Sequence, residues 1–192
     1  SLRSEWLFEE VAEAQALGIA AKPVLIGPLT YLYLGKEKQD GFNRLDLLPK
    51  ILPVYQQILA RLKAQGVAWV QIDEPILALD LPIEWLAMLN TTYNTLTAHA
   101  PKILLATYFD SVAEHVDLLN ALPIAGLHID IVRAPHQAEV FARHYPENKI
   151  LSLGIVDGRN IWRNNIAASL QILGDLRECL GDRLWVAPSC SL

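Results

Sequence analysis

The chain has 192 residues, 52% of them hydrophobic, with 16 Lys+Arg against 21 Asp+Glu for a net charge of −5 and a mean hydropathy of +0.23. That much apolar material builds a core and excludes a disordered segment, and a dispersed negative charge without a Lys/Arg cluster excludes nucleic acid or anionic membrane as the main partner. Every apolar stretch is broken by charge, Pro or Gly before the roughly 18 residues that a membrane span requires.

Ser1 to Glu5 run into Glu9 and Glu10 rather than an apolar stretch, so a signal peptide is not expected. Ser4 is placed to cap a first helix over 4–17, carrying Trp6, Leu7, Val11, Ala14 and Leu17. Val24-Leu25-Ile26 reads as a strand followed by a polar loop at Gly27-Pro28-Leu29-Thr30. Leu45, Leu48, Leu52, Tyr55, Leu59 and Leu62 then share one face of a long helix, with Pro49 and Pro53 near its start and Gly66 as a left-handed stop. The second strand, Trp69 to Ile72, ends on Asp73-Glu74-Pro75, and a helix over 82–98 follows. The third strand, Ile103 to Leu105, leads into Thr107-Tyr108 and a helix over 111–121. The fourth, Leu127 to Ile131, contains Asp130 and precedes a helix over 134–144. The fifth, Ile150 to Leu153, is followed by Asp157-Gly158-Arg159-Asn160, where Asn160 is placed to cap the last helix. Ile166, Leu170, Leu173 and Leu180 form that helix's buried stripe, Gly181 stops it, and a sixth strand, Leu184 to Ala187, ends on Ser189-Cys190.

Strand and helix alternate without hairpin signals, so the class is α/β with parallel strands and right-handed crossovers. The loop at Gly27 lacks both glycine-rich phosphate-binding patterns, which ranks a doubly wound nucleotide fold low. Polar groups collected at strand ends instead indicate a TIM-type (β/α)8 barrel, although six strands are counted where eight are needed. The chain, residues 1–192, is therefore expected to be one incomplete barrel domain, opening on a helix and stopping just after a strand like a piece of something larger.

Lys22 to Thr30, Gln71 to Pro75, Gly154 to Trp162 and Leu184 to Leu192, in that order, resemble the cobalamin-independent methionine synthases. The resemblance covers essentially the whole chain, and Asp157-Gly158-Arg159-Asn160-Ile161-Trp162 points to the N-terminal, non-catalytic barrel of that two-barrel family. It implies that the third to eighth barrel strands are present and the first two absent. It also implies membership of an enzyme that transfers a methyl group from 5-methyltetrahydropteroyltri-L-glutamate to L-homocysteine, with this piece inactive alone. In the family the catalytic barrel holds zinc, which binds homocysteine as a thiolate. The zinc positions fall here on Leu105, Thr107, Asp130 and Cys190, and the proton-donor His position falls on Arg159. Leucine cannot ligate and arginine stays protonated, so the resemblance implies neither zinc nor acid catalysis in this barrel. The implied partners are the C-terminal catalytic barrel of the same polypeptide and a folate polyglutamate tail held mostly by residues outside this chain.

The remaining candidates at strand ends are Asp73, Asp130, Arg159 and Cys190. Asp73 could bind a substrate amine but is expected to be a structural carboxylate accepting loop N–H groups. Arg159 could meet an anion but is expected to brace its loop. Cys190 and Cys179 are expected as small buried side chains rather than reactive thiols, and as no disulfide framework they fit a cytoplasmic protein. His99, His115, His128, His136 and His144 have no ligand-like spacing and are expected mostly at the surface. Two further readings stay open. One is a free-standing decarboxylase-like barrel enzyme using Asp73 or Asp130 as acid or base on a small anionic substrate. The other is a non-catalytic assembly module, and an incomplete barrel is in any case expected to dimerise through its open edges, to exchange strands or to be marginally stable.

Overall fold

The structure, a computed structural model, describes residues 4–190 except Gln39 and His144. Among them six strands form one parallel sheet: β1 (Val24–Ile26), β2 (Trp69–Asp73), β3 (Lys102–Ala106), β4 (Gly126–Asp130), β5 (Ile150–Val156) and β6 (Leu184–Pro188). Their order in the sheet is their order in the chain. Between them run α1 (Trp6–Ala16), α2 (Pro28–Leu34), α3 (Leu48–Ala64), α4 (Ile83–Thr97), α5 (Val116–Ala121), α6 (Gln137–Arg143) and α7 (Ile166–Leu180), joined by short 3₁₀ turns. Parallel strands need such crossovers, and a constant hand curls the sheet in one direction.

The curl is directly visible in the side chains. Trp69 of β2 and Trp185 of β6 lie four strand positions apart in the sheet, yet their ring centroids are 4.7 Å apart. The strand period of two then sorts residues between faces. Val70, Ile72, Ile103, Leu105, Leu127, Ile129, Leu151 and Leu153 join the helices in the main apolar core, whereas Gln71, Asp73, His128 and Ser152 line the concave side. This is an α/β incomplete barrel, and its strands begin within two residues of the expected positions.

The helix expected over 111–121 is a 3₁₀ turn, Ala113–His115, followed by the short α5, and four further departures stand out. Gly27-Pro28-Leu29-Thr30 is not a loop: Pro28 opens α2, a position where its missing N–H costs nothing, and Leu29, Thr30 and Leu32 are buried. Glu5, not Ser4, occupies the N-cap of α1; it makes no capping bond, and its carboxylate pairs instead with Arg61 of α3. Asn165 rather than Asn160 caps α7, accepting from Ala168 N–H, while Asn160 donates to the Asp157 carboxylate at 2.7 Å. The expected stripe of α7 is only half covered: Leu180 is buried, but Ile166 is 56% and Leu170 61% exposed. That helix lies on β6, an edge strand among the described residues, so little stands beside it to cover those two side chains.

The two ends of the sheet share this exposure. Val24 and Ile26 of β1 and Val186 of β6 are largely exposed, while all five residues of β4 in the middle are buried. Gly66 and Gly181 end α3 and the α7 segment at positive φ, as the stop signals require.

Candidate functional site at the barrel mouth

Three of the four strand-end candidates converge. Asp73, Arg159 and Cys190 line one cavity of about 670 Å³ at the C-terminal ends of the strands, with Ile26, Pro75, Tyr108 and Phe109. The fourth, Asp130, sits beside this cavity as a brace. Its Oδ1 accepts the N–H groups of Val132 and Arg133 at 3.0 Å each, and its Oδ2 accepts that of Phe109 at 3.1 Å. A buried carboxylate occupied by three backbone donors holds a loop.

The adjacent carboxylates Asp73 and Glu74 divide the roles that the sequence reading gave to Asp73 alone. Glu74 is fully buried and accepts from Leu29 N–H at 3.1 Å, Thr30 N–H at 2.7 Å, the Thr30 hydroxyl at 2.5 Å and the Tyr93 hydroxyl at 3.4 Å. Burial pushes its carboxyl up to about 7, against the pull of those donors. Glu74 is thus the structural carboxylate that pins the start of α2, and it packs so closely on Gly27 that a Cβ there would lie 2.0 Å from its Cδ. Asp73, on the opposite face of the strand, turns to the mouth. Its Oδ1 accepts from Gln71 Nε2 at 2.9 Å and the Tyr108 hydroxyl at 3.1 Å. Burial raises its pKa, opposed by Gln71, Tyr108 and the more distant charge of Lys22. Lys22 itself donates to Gln71 Oε1 at 2.6 Å, so Gln71 stands between the ammonium and the carboxylate.

Phe109 shapes the rim. It alone among the described non-glycine residues has a positive φ, +80°, a conformation costing a bulky side chain of order 1–2 kcal/mol. The bond from its N–H to Asp130 holds it there, and its ring lies 5.1 Å beneath the Arg159 guanidinium. Arg159 stacks on that ring and also lines the cavity. Nothing in the residue type Phe109 announces this backbone; the only sequence signal was its place after a strand.

His128 was not singled out by spacing, yet it is buried on the concave side, with Nδ1 3.0 Å from Ser152 Oγ. Burial pulls its pKa down to about 4, so the ring is neutral over most of the working range. His99 and His136 are exposed, and His144 lies outside the described residues. Cys190 is buried as expected, whereas Cys179 is exposed on α7, against expectation.

At the positions matching the family's zinc ligands the side chains do not fit the metal. Leu105 is in the apolar core, the Thr107 hydroxyl donates to the His128 carbonyl at 2.9 Å, and Asp130 is occupied by backbone N–H groups. Cys190 is the single soft donor left among the four.

Comparison with known proteins bears on the family and the fold. Residues 1–181 match a family profile described as the N-terminal domain of cobalamin-independent synthase. The chain is 54% identical to the 5-methyltetrahydropteroyltriglutamate–homocysteine methyltransferase of Acidithiobacillus ferrooxidans (strain ATCC 53993 / BNL-5-31), covering 100% of this chain and 28% of that protein. It is 57% identical to the enzyme of the same name from Burkholderia mallei (strain SAVP1), covering 98% of this chain and 25% of that one. The chain thus spans about a quarter of the length of these relatives. The solved structure of a B12-independent methionine synthase from Shewanella sp. W3-18-1, in complex with selenomethionine, superposes over 99% of this chain and 60% of that chain with a TM-score of 0.75 at 13% identity, a likeness of fold.

Proposed function

The chain belongs to the family of cobalamin-independent synthase N-terminal domains, and we propose that it serves a methyltransferase that passes the methyl group of 5-methyltetrahydropteroyltri-L-glutamate to L-homocysteine, forming methionine. The observation that carries this reading is identity of 54–57% over nearly the whole chain to enzymes of that name. Within that enzyme this stretch is a single partial barrel, the C-terminal three-quarters of the supporting N-terminal barrel, and is inactive alone. The fates of Leu105, Thr107 and Asp130 support the division of labour, because the groups that would hold zinc are committed to core packing and loop bracing. Zinc then belongs to the catalytic barrel of the same polypeptide, which is also the main partner of this one. The folate tail is held mostly by residues outside this chain. The enzyme works in the cytoplasm; among the described residues no helix is long and apolar enough to cross a membrane.

Methyl transfer measured with the complete polypeptide and with this chain alone tests the proposal. The complete protein is expected to turn over and the isolated chain to show none. Turnover by the isolated chain, or none by the complete protein, would remove it. The isolated chain is further proposed to self-associate, since among the described residues β1 and β6 each have an edge without a strand neighbour, flanked by exposed apolar side chains.

A further inference from the structure

We propose that the mouth of this barrel is a binding site for a small zwitterion whose cationic and anionic ends are separated by an apolar spacer. Asp73 supplies the cation's partner. Its Oδ1 is fixed by Gln71 and Tyr108, which orients the carboxylate, and its Oδ2 has no hydrogen-bond partner among the described residues. A carboxylate held half out of water, with one oxygen open to a cavity and no cation in contact, favours an ammonium group there.

Arg159 supplies the anion's partner. Its guanidinium makes no salt bridge among the described residues and is laid over the Phe109 ring, which leaves its donors free for an incoming carboxylate. Phe109 reaches that place only by holding a positive φ, so the rim is built around an arginine platform at a cost in backbone strain. Asp73 at the end of β2 and Arg159 after β5 line the same cavity and form no ion pair with each other, so a ligand that satisfies both has to reach from one to the other. The rest of the lining is mostly apolar, with Ile26, Pro75 and the Phe109 ring beside Tyr108 and Cys190.

Three probes with six-carbon chains separate the requirements: 6-aminohexanoate, n-hexylamine and hexanoate. Each is titrated into the complete polypeptide by ligand-observed NMR and thermal shift, with the wild type and with Asp73→Asn and Arg159→Gln. Asn at 73 keeps the acceptor for Gln71 and Tyr108 and removes only the charge. The expected result is that 6-aminohexanoate binds at least about tenfold more tightly than either singly charged probe, and that each substitution weakens it about tenfold, read as ligand-induced shift relative to each variant's own unliganded midpoint. Equal binding of a singly charged probe would overturn the proposal. So would 6-aminohexanoate binding that both substitutions leave unchanged, or its failure to bind at tens of millimolar.

Discussion

Two glycines show how far a single Cβ can swing this protein in opposite directions. At Gly27 the added carbon would fall on the buried Glu74 carboxylate, and both the end of β1 and the start of α2 would have to move. Gly27→Ala is expected to cost about 3–5 kcal/mol, in the upper range for overpacking beside a buried charged group. Gly174 lies within α7 with nothing inside 4 Å of its missing Cβ. Gly174→Ala is expected to stabilise by about 0.5–1 kcal/mol, because alanine is the better helix former. Urea denaturation of the two variants reads both signs at once, and a harmless Gly27→Ala would mean that Glu74 does not pin α2.

Among the elements, the edge strands carry the clearest liability. β1 and β6 each have one strand neighbour among the described residues, and Val24 and Val186 stand exposed on them. Sedimentation velocity on the isolated chain is expected to show concentration-dependent association that Val24→Lys with Val186→Lys suppresses, since a lysine on an edge disfavours strand addition. A monomer at all concentrations would count against edge pairing. These strands were legible in the sequence because short β-branched runs bounded by polar turns suit a buried strand and are too short for a helix, and α3 because Leu48, Leu52, Tyr55, Leu59 and Leu62 keep one helical face. α2 escaped notice because seven residues are too few for a period to assert itself, and its formation depends on Glu74 more than 40 residues away. The same distance hid the division of roles between Asp73 and Glu74. Neighbouring carboxylates look alike in a sequence, and only the pleat sends one into the helix layer and the other to the mouth. The convergence of Asp73, Arg159 and Cys190 was partly legible, since barrel strand ends meet by construction; the strained backbone of Phe109 was not, because it is set by the Asp130 carboxylate across the sheet.

At the scale of the whole molecule, Glu74 and His128 set opposing pH dependences. The Glu74 pKa is raised from 4.5 to about 7, so its contribution is complete below 4.5 and is lost as pH rises through about 7. The His128 pKa is lowered from 6.5 to about 4, so its contribution is complete above 6.5 and is lost as pH falls through about 4. Between pH 4.5 and 6.5 the two slopes have opposite signs and cancel. Glu74→Gln should therefore acquire a stability that climbs with pH by roughly 1.4 kcal/mol per unit, and His128→Asn one that falls as steeply. Denaturant midpoints at several pH values across that window would show it; slopes matching the wild type in both variants would rule out the pairing. A last consequence follows from strands that lie in the sheet in the order in which they are linked. During synthesis each of the described strands after β1 emerges beside a neighbour already made. Assembly can then proceed by accretion, one crossover unit after another, each step closing a loop of modest length, and the exposed growing edge moves along the sheet with the nascent chain.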